Sequence, residues 1–141
     1  MSVDVKYRTS ATANGGRDGG ARTDDGRLAV ELSTPKELGG AGGQGTNPEQ
    51  LFAAGYAACF LGALKVGGRQ LKVAVPDDST VTAEIGIGAR SEGGFGITAS
   101  LSIHLPGIEP QVATRLMAAA HEICPYSNAT RKNIDVSLNM A

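Results

Sequence analysis

The chain has 141 residues, the length of one ordinary domain, so we expect residues 1–141 to form a single domain. Apolar residues make up 41% of the chain and charged residues 19%, a composition that excludes an intrinsically disordered protein. The formal net charge is −1, and because there is no basic excess to neutralise phosphates, we expect no nucleic-acid partner.

The N-terminal third is predicted to contain two strands joined by a loop. Apolar and polar residues alternate over residues 3–9 and again over residues 28–32, which is the period of a half-buried strand. Between them, residues 14–26 are rich in Gly and Asp and end in an Asp-Gly hairpin signal. A second Gly-rich loop is predicted over residues 39–45.

A helix is predicted over residues 49–66. Asn47 is a suitable N-cap, and Pro48 suits the first helical position. The segment is apolar almost all round, a pattern typical of a buried helix, and its many Ala and Gly residues would let other backbones come close. Gly67 and Gly68 are predicted to end this helix.

The remaining elements are predicted from the same periodicities. Strands are expected over residues 71–75, 81–89, 95–103 and 134–140, and a helix over residues 110–124. The element order is then β-β-α-β-β-β-α-β. Because alternating strands leave one face of a sheet in contact with water, we expect mainly antiparallel sheets and an α+β fold.

The sequence carries no targeting signal. Residues 1–10 are charged and have no apolar run, so they do not resemble a signal peptide, and the apolar stretch 51–64 is too short to span a bilayer. We therefore expect a cytoplasmic protein with no membrane partner. In the cytoplasm, two cysteines are more often reduced, catalytic or redox-sensing than joined as a structural disulfide.

Cys59 and Cys124 are the residues most suited to covalent chemistry. Cys59 lies in the predicted Ala-rich helix, and Cys124 ends the next predicted helix just before Pro125. Each position on its own is also typical of a small apolar core residue. Their separation along the chain does not specify a disulfide, since bridging needs Cα atoms within about 7 Å.

The charged and histidine candidates are weaker when each is considered alone. Arg17 in GGRDGG is typical of a solvated surface charge, although flanking glycines would let the backbone approach a partner and the side chain turn inward. Glu49 in a first helical turn interacts favourably with the helix dipole. His121 and Cys124 share a helix face, but two ligands do not make a metal site, so we expect none.

Three blocks of the sequence follow one another in a specific order. They are GGRDG at 15–19, GTNPEQLFAAGYAACF at 45–60 and ICPYSNATRKNIDV at 123–136, and STPKELGG at 33–40 accompanies them. Together they resemble the organic hydroperoxide resistance (Ohr) proteins of the OsmC-like superfamily. The similarity extends over nearly the entire chain, and no functional position departs from the pattern.

The resemblance implies an OsmC-like fold in which a long buried central helix is surrounded by sheets, in an intertwined homodimer with two active sites. It implies that Cys59 is the peroxidatic cysteine, that Cys124 is the resolving cysteine, and that Arg17 and Glu49 orient and activate the thiolate. It also implies a peroxidase that reduces alkyl and fatty-acid hydroperoxides to alcohols in the bacterial cytoplasm, without a bound cofactor. The reductant it implies is a dihydrolipoyl group carried on a lipoylated protein.

Two further expectations follow from the residues themselves. Glu49 and Cys59 are ten positions apart, about 15 Å along one straight helix. Glu49 therefore reaches a Cys59 thiolate only if the helix breaks near Gly55 or if two antiparallel copies of the helix pack across a dimer. An apolar rim around the thiolate would favour alkyl peroxides over hydrogen peroxide, and Phe52 and Phe95 are the candidates for that rim.

Other functions stay open on the residues alone. An OsmC-type peroxidase with another role in stress would use similar chemistry. A thiol-based redox sensor or a lipid-binding module would allow Cys59 to be oxidised without turnover. A structural dimer would bury both cysteines as inert side chains.

Overall fold

The computed structural model describes residues 1–141, and the chain divides into two compact units, Met1–Pro48 and Glu49–Ala141. Each unit contains its own three-stranded sheet. The single domain expected over residues 1–141 stays a prediction.

The N-terminal unit is built on an antiparallel sheet. Its strands are β1 (Ala11–Asn14), β2 (Gly20–Thr23) and β3 (Ala29–Glu31), in the order β1-β2-β3. A 3-10 turn, Gly16–Asp18, joins β1 to β2, and a second 3-10 turn, Lys36–Leu38, follows β3.

The loop predicted over residues 14–26 is partly wrong, because β2 occupies its second half. This segment has little apolar alternation, and it becomes a strand because β1 and β3 pair with both of its edges. Gly15 and Gly16, with φ of 69° and 59°, turn the chain tightly before β2. The predicted Asp-Gly turn is confirmed: Gly26 has φ of 72°, and its N–H donates to the carbonyl of Thr23 at 3.0 Å.

The strand predicted over residues 3–9 is wrong. Residues 1–10 form no regular element, and the first strand begins at Ala11. The apolar alternation is present, but no strand of the chain pairs with this segment, so Val3 and Tyr7 remain 70% and 78% exposed. The loop predicted over residues 39–45 is confirmed.

The long helix α1 spans Pro48–Leu71 and begins where the sequence predicts, but it runs past the predicted end at Gly67 and Gly68. Both glycines are buried inside the helix, and other parts of the same chain pack too closely against their Cα atoms to leave room for a side chain. A Cβ atom on Gly68 would lie 2.6 Å from the carbonyl oxygen of Val73. The helix ends instead at Lys72, which is left-handed with φ of 58°, and the Val73 N–H donates back to the Gly68 carbonyl at 2.8 Å.

Only one face of α1 is buried in the chain. Tyr56, Phe60 and Leu64 are fully buried in the core, whereas Ala54, Ala58 and Gly62 on the opposite side are exposed. With 24 residues, α1 is also long and apolar enough to cross a bilayer, so the expectation that this segment is too short is wrong. Core helices of soluble proteins have the same length and composition, and the face with Phe60 packs as such a helix does.

The C-terminal unit has a mixed sheet in the order β4-β5-β6. The strands β4 (Thr80–Ala89) and β5 (Phe95–His104) form the antiparallel hairpin that their alternation predicts. The strand β6 (Val136–Met140) pairs parallel to β5, and because the other strand pairs are antiparallel, the predicted mainly antiparallel sheets are confirmed. The strand predicted over 71–75 is wrong, because the left-handed residue after α1 turns the chain into a loop whose valines pack on the core.

Two helices connect β5 to β6 and make the parallel pairing possible. They are α2 (Pro110–Ile123), which is confirmed, and the short α3 (Pro125–Thr130), which the sequence does not predict. The core lies between the sheet, α1 and α2. Its fully buried members include Leu101 of β5 and Leu116 of α2. The architecture confirms the predicted α+β class.

The left-handed residue after α1 gives a stability prediction. Lys72→Gly should raise the free energy of unfolding by about 1 kcal/mol, because glycine adopts this conformation without the steric cost that a Cβ atom imposes. Urea denaturation at fixed protein concentration measures the change. Lys72→Ala is the matched control, since it removes the same charge and keeps the strain; an equal gain in that variant would assign the effect to the charge.

Candidate active site

The two cysteines meet in the C-terminal unit. Cys59 lies in α1 and Cys124 lies between α2 and α3, 65 positions later, yet their Sγ atoms are 3.5 Å apart, with the Cys124 thiol donating to Cys59. Both are free thiols; Cys124 is fully buried and Cys59 is half-buried. The structure therefore brings together the two residues that the sequence singles out for redox chemistry.

The position of Cys124 follows from the proline after it. Pro125 has no N–H and disfavours a helical residue before it, so α2 ends and Cys124 takes an extended conformation with ψ of 121°. Its N–H still donates to the Ala120 carbonyl at 2.8 Å, and its carbonyl accepts from the Asn128 N–H at 3.0 Å. Cys124 is thus the last bonded residue of one helix and the first of the next.

The surroundings of Cys59 act on its ionisation in opposite directions. Burial and the neighbouring Cys124 thiol raise the pKa of Cys59 above its ordinary value, and the backbone N–H of Tyr126 partly offsets this rise by donating to the sulfur. The net rise reduces the thiolate population at neutral pH. Chemistry that needs the thiolate therefore requires a further positive group beside the sulfur.

An aromatic cluster lies next to the thiol pair. Phe52 and Tyr126 stack with ring centroids 5.8 Å apart, and Tyr56 lies 5.7 Å from each of them. The Tyr126 ring covers Gly55, where a Cβ atom would come within 3.0 Å of the Tyr126 hydroxyl. Phe95, the other candidate for the apolar rim, begins β5 and is 75% exposed. The rim roles of Phe52 and Phe95 stay predictions.

Side chains on either side of Cys124 in the sequence are hydrogen-bonded to one another and to Tyr56 of α1, and the sequence does not predict these bonds. The hydroxyl of Ser127 lies 2.9 Å from the Tyr56 hydroxyl and 3.0 Å from Nδ1 of His121. The Tyr56 hydroxyl also lies 3.2 Å from that of Thr130. We call Tyr56, His121 and Ser127 the hydroxyl hub. The one sequence signal was the position of His121 and Ser127, three residues before and three after Cys124.

The histidine of the hydroxyl hub is held neutral. Burial and the positive charge of Arg131 lower the pKa of His121 below its ordinary value, and the Glu122 carboxylate partly opposes them. The Ser127 hydroxyl bridges the imidazole and the Tyr56 hydroxyl, and the tautomer of the neutral His121 sets which atom donates in each bond. The guanidinium of Arg131 also donates to the backbone carbonyl of His121.

The two charged residues predicted to act at the site, Arg17 and Glu49, lie in different units from each other. Arg17 is in the 3-10 turn Gly16–Asp18 of the N-terminal unit, and Glu49 is in the first turn of α1. The helix α1 is continuous through Gly55, so the break that would shorten the distance from Glu49 to Cys59 is absent. The roles of Arg17 and Glu49 stay predictions. The structure has no group of three or more His, Cys, Asp or Glu side chains that could hold a metal ion.

Comparison with known proteins defines the class first. The family model described as OsmC-like protein matches residues 40–139. An organic hydroperoxide resistance protein of Xanthomonas axonopodis pv. citri is 54% identical over 137 residues, covering 97% of this chain and 96% of that protein. The chain belongs to the organic hydroperoxide resistance proteins of the OsmC-like family.

Solved structures agree with this assignment. A crystal structure of an organic hydroperoxide resistance protein from Legionella pneumophila has a TM-score of 0.91 and 46% identity, covering 98% of this chain and 99% of that one. The crystal structure of the OhrB protein of Bacillus subtilis has a TM-score of 0.87 and 42% identity, covering 96% of this chain and 98% of that one. The resemblance stated from the three sequence blocks is confirmed, and so is the OsmC-like fold, which places the chain among proteins of organic hydroperoxide resistance and oxidative stress.

The depressed pKa of His121 predicts a pH dependence of stability. The unfolded histidine binds a proton near its ordinary pKa of 6.5, whereas the folded one resists protonation, so its contribution is complete above that pH and is lost as the pH falls through the folded pKa. The urea midpoint of the wild type should therefore fall more steeply from pH 7 to pH 5 than that of His121→Asn, which keeps an acceptor and does not titrate. Parallel curves for the two proteins would contradict the assignment.

Proposed function

We propose that the chain is a cysteine-based peroxidase that reduces organic hydroperoxides to alcohols through a Cys59 sulfenic acid and a Cys59–Cys124 disulfide. The observation that carries the proposal is the 3.5 Å contact between two free thiols on separate helices. The names of the relatives, which refer to organic hydroperoxide resistance, supply the substrate class.

The contact suits each chemical step. The Cys59 thiolate attacks one peroxide oxygen, the alcohol leaves, and Cys59 becomes a sulfenic acid. The Cys124 sulfur then attacks Cys59, the sulfenic oxygen leaves as water, and a disulfide forms. An S–S bond of about 2.05 Å requires the two sulfurs to approach by about 1.5 Å from their present separation. This short movement protects Cys59 from further oxidation.

Arg17 is proposed as the positive group that the thiolate needs. From an ordinary Cys pKa near 8.5, full deprotonation at pH 7 gains about 30-fold, or roughly 2 kcal/mol, whereas enzymes lower barriers by about 8 kcal/mol or more. Arg17 must therefore also hold the peroxide and stabilise the charge that develops on its oxygens. Glu49 would lock the guanidinium through a bidentate contact.

A homodimer is proposed as the active form. Because α1 is continuous, Glu49 lies about 15 Å along the helix from Cys59 of its own chain, so the carboxylate is better placed to act on a second copy. Two exposed features support a partner chain. One is the small-residue face of α1 at Ala54, Ala58 and Gly62, and the other is the arm of residues 1–10, in which apolar and polar side chains alternate. The intertwined arrangement implied by the family would cover both.

The proposed peroxidase also needs a reductant, a cellular location and a surface that binds its substrate. A dihydrolipoyl group on a lipoylated protein is proposed as the reductant, because a dithiol can open the disulfide by exchange and leave as a cyclic disulfide. The matched relatives are bacterial, and a cytoplasmic location is proposed. Phe52 and Phe95 are proposed to contact the alkyl part of the substrate, which would favour alkyl peroxides over hydrogen peroxide.

Steady-state turnover tests the proposed activity. With dihydrolipoamide as donor, the wild type should consume cumene hydroperoxide at a higher kcat/KM than hydrogen peroxide, and Cys59→Ser should abolish consumption. Cys124→Ser should allow one turnover at Cys59 and then accumulate over-oxidised sulfur, and Arg17→Lys should lower kcat/KM by about 100-fold because Lys cannot form the fork. Oxidation of Cys59 without turnover in the wild type would identify a sensor and refute the peroxidase.

Mixed dimers test whether the site is shared. A dimer of one Glu49→Ala chain and one Cys59→Ser chain contains one intact Glu49–Cys59 pair if the residues act across the dimer, and no intact pair if they act within a chain. We expect the mixed dimer to regain about half of the wild-type rate while both parent dimers stay inactive. A purified mixed dimer without activity would show that the pair acts within one chain.

A further inference from the structure

The hydroxyl hub links the three helices that carry or flank the two sulfurs. Tyr56 belongs to α1 and lies three residues before Cys59, His121 belongs to α2, and Ser127 belongs to α3. Tyr56 and Ser127 are both fully buried, and their hydroxyls bond to each other at 2.9 Å. A buried, fully bonded polar group at such a junction fixes one arrangement of the surrounding elements, because any other arrangement leaves polar atoms unpaired.

The backbone bonds of Cys124 do not attach its helices to α1, and only its thiol reaches α1, at Cys59. Its N–H and its carbonyl bond only to Ala120 and Asn128, one turn away on either side. Arg131 ties the end of α3 to α2 through the His121 carbonyl and lies 3.9 Å from Glu122. Two sets of bonds join α3 to the helix carrying Cys59. The Tyr56 hydroxyl bonds to the hydroxyls of Ser127 and Thr130, and the Tyr126 N–H donates to the Cys59 sulfur. The bonds of Tyr56 are the ones made by side chains.

We propose that the hydroxyl hub is a positioning device that holds Cys124 at attacking distance from Cys59 and thereby sets the rate of disulfide formation. The inference rests on the proposed peroxidase function and adds a role to residues that do not touch the peroxide. Tyr56, His121 and Ser127 act through the position of Cys124, so each is a positioning residue.

The chemistry gives this position a specific consequence. After the alcohol has left, the Cys59 sulfenic acid either condenses with the Cys124 thiol, releasing water as the S–S bond forms, or reacts with a second hydroperoxide to give a sulfinic acid and another alcohol. Only the first of these reactions depends on where Cys124 lies. A displacement of about 1 Å can slow a reaction between held groups by up to about 100-fold. The hydroxyl hub thus sets the fraction of the Cys59 sulfenic acid that becomes the disulfide and not the sulfinic acid.

The test separates the two chemical steps in the full-length protein. Reduced wild type, Tyr56→Phe and Ser127→Ala are mixed rapidly with cumene hydroperoxide, quenched with acid and an alkylating agent, and resolved by intact mass into thiol, disulfide and sulfinic acid. We expect disulfide formation to slow by about 10- to 100-fold in both variants, with sulfinic acid accumulating under excess peroxide. The loss of reduced Cys59 should change by less than about threefold, because that step does not use Cys124.

Matched controls make the result specific. Thr114→Val removes a hydroxyl from α2 that bonds only to the Pro110 carbonyl, and it should behave as the wild type. His121→Asn keeps a group that can donate to or accept from the Ser127 hydroxyl and should form the disulfide within about threefold of the wild-type rate, whereas His121→Ala should be slow. Tyr56→Phe deletes a single oxygen and keeps the ring, so it decides the test if Ser127→Ala lowers stability.

The outcomes distinguish the two proposals. Wild-type disulfide rates in Tyr56→Phe and in folded Ser127→Ala would overturn the positioning role and leave the peroxidase intact. An equal slowing of Cys59 loss and disulfide formation would also overturn it, because the hydroxyl hub would then act on the fold as a whole. A wild-type Cys59 that does not react with the hydroperoxide would instead refute the proposed function.

Discussion

The candidate site depends on one backbone constraint, the interruption of the helix at Cys124. Pro125 cannot donate a helical hydrogen bond and disfavours a helical residue before it, so α2 ends at Ile123 and α3 begins at once. This interruption brings the fully buried Cys124 sulfur to within 3.5 Å of the Cys59 sulfur and directs the N–H of Tyr126 at the Cys59 sulfur. A continuous helix through this position would provide neither contact.

This interruption of the helix also bears on the pKa of Cys59. Bringing a second thiol beside Cys59 and burying both raises the pKa of Cys59, and one backbone N–H only partly offsets that rise. The closeness of the two sulfurs favours formation of the disulfide. The same closeness disfavours ionisation of Cys59 to the thiolate, which must form first. The proposed role of Arg17 resolves the conflict, because a guanidinium stabilises the anion during peroxide attack and has no further task once the sulfenic acid is neutral.

The features predicted from the sequence are those with long local patterns. The hairpin of β4 and β5, the helix α2 and the start of α1 follow from periodicity and capping, and the motif blocks identify both cysteines. The parallel pairing of β6, the 3.5 Å sulfur contact and the hydroxyl hub depend on side chains far apart in the sequence. Ser127 read alone is an ordinary polar residue, and His121 read alone was only a weak metal candidate. Their hydrogen bonds to each other and to Tyr56 form only because the fold brings Tyr56 next to Ser127.

Two of the errors of prediction share a physical feature, which is apolar surface that the chain leaves uncovered. The arm over residues 3–9 has a strand pattern and no strand beside it, and α1 has an apolar face at Ala54 and Ala58 that the chain leaves exposed. Both patterns leave apolar side chains in contact with water, and exposed apolar surface of this kind calls for a covering partner. The proposed homodimer supplies that surface and also shortens the distance between Glu49 and Cys59, which the unbroken α1 keeps apart within one chain. A homodimer of this kind would thus account for the exposed arm, the exposed helix face and the separation of Glu49 from Cys59 along α1.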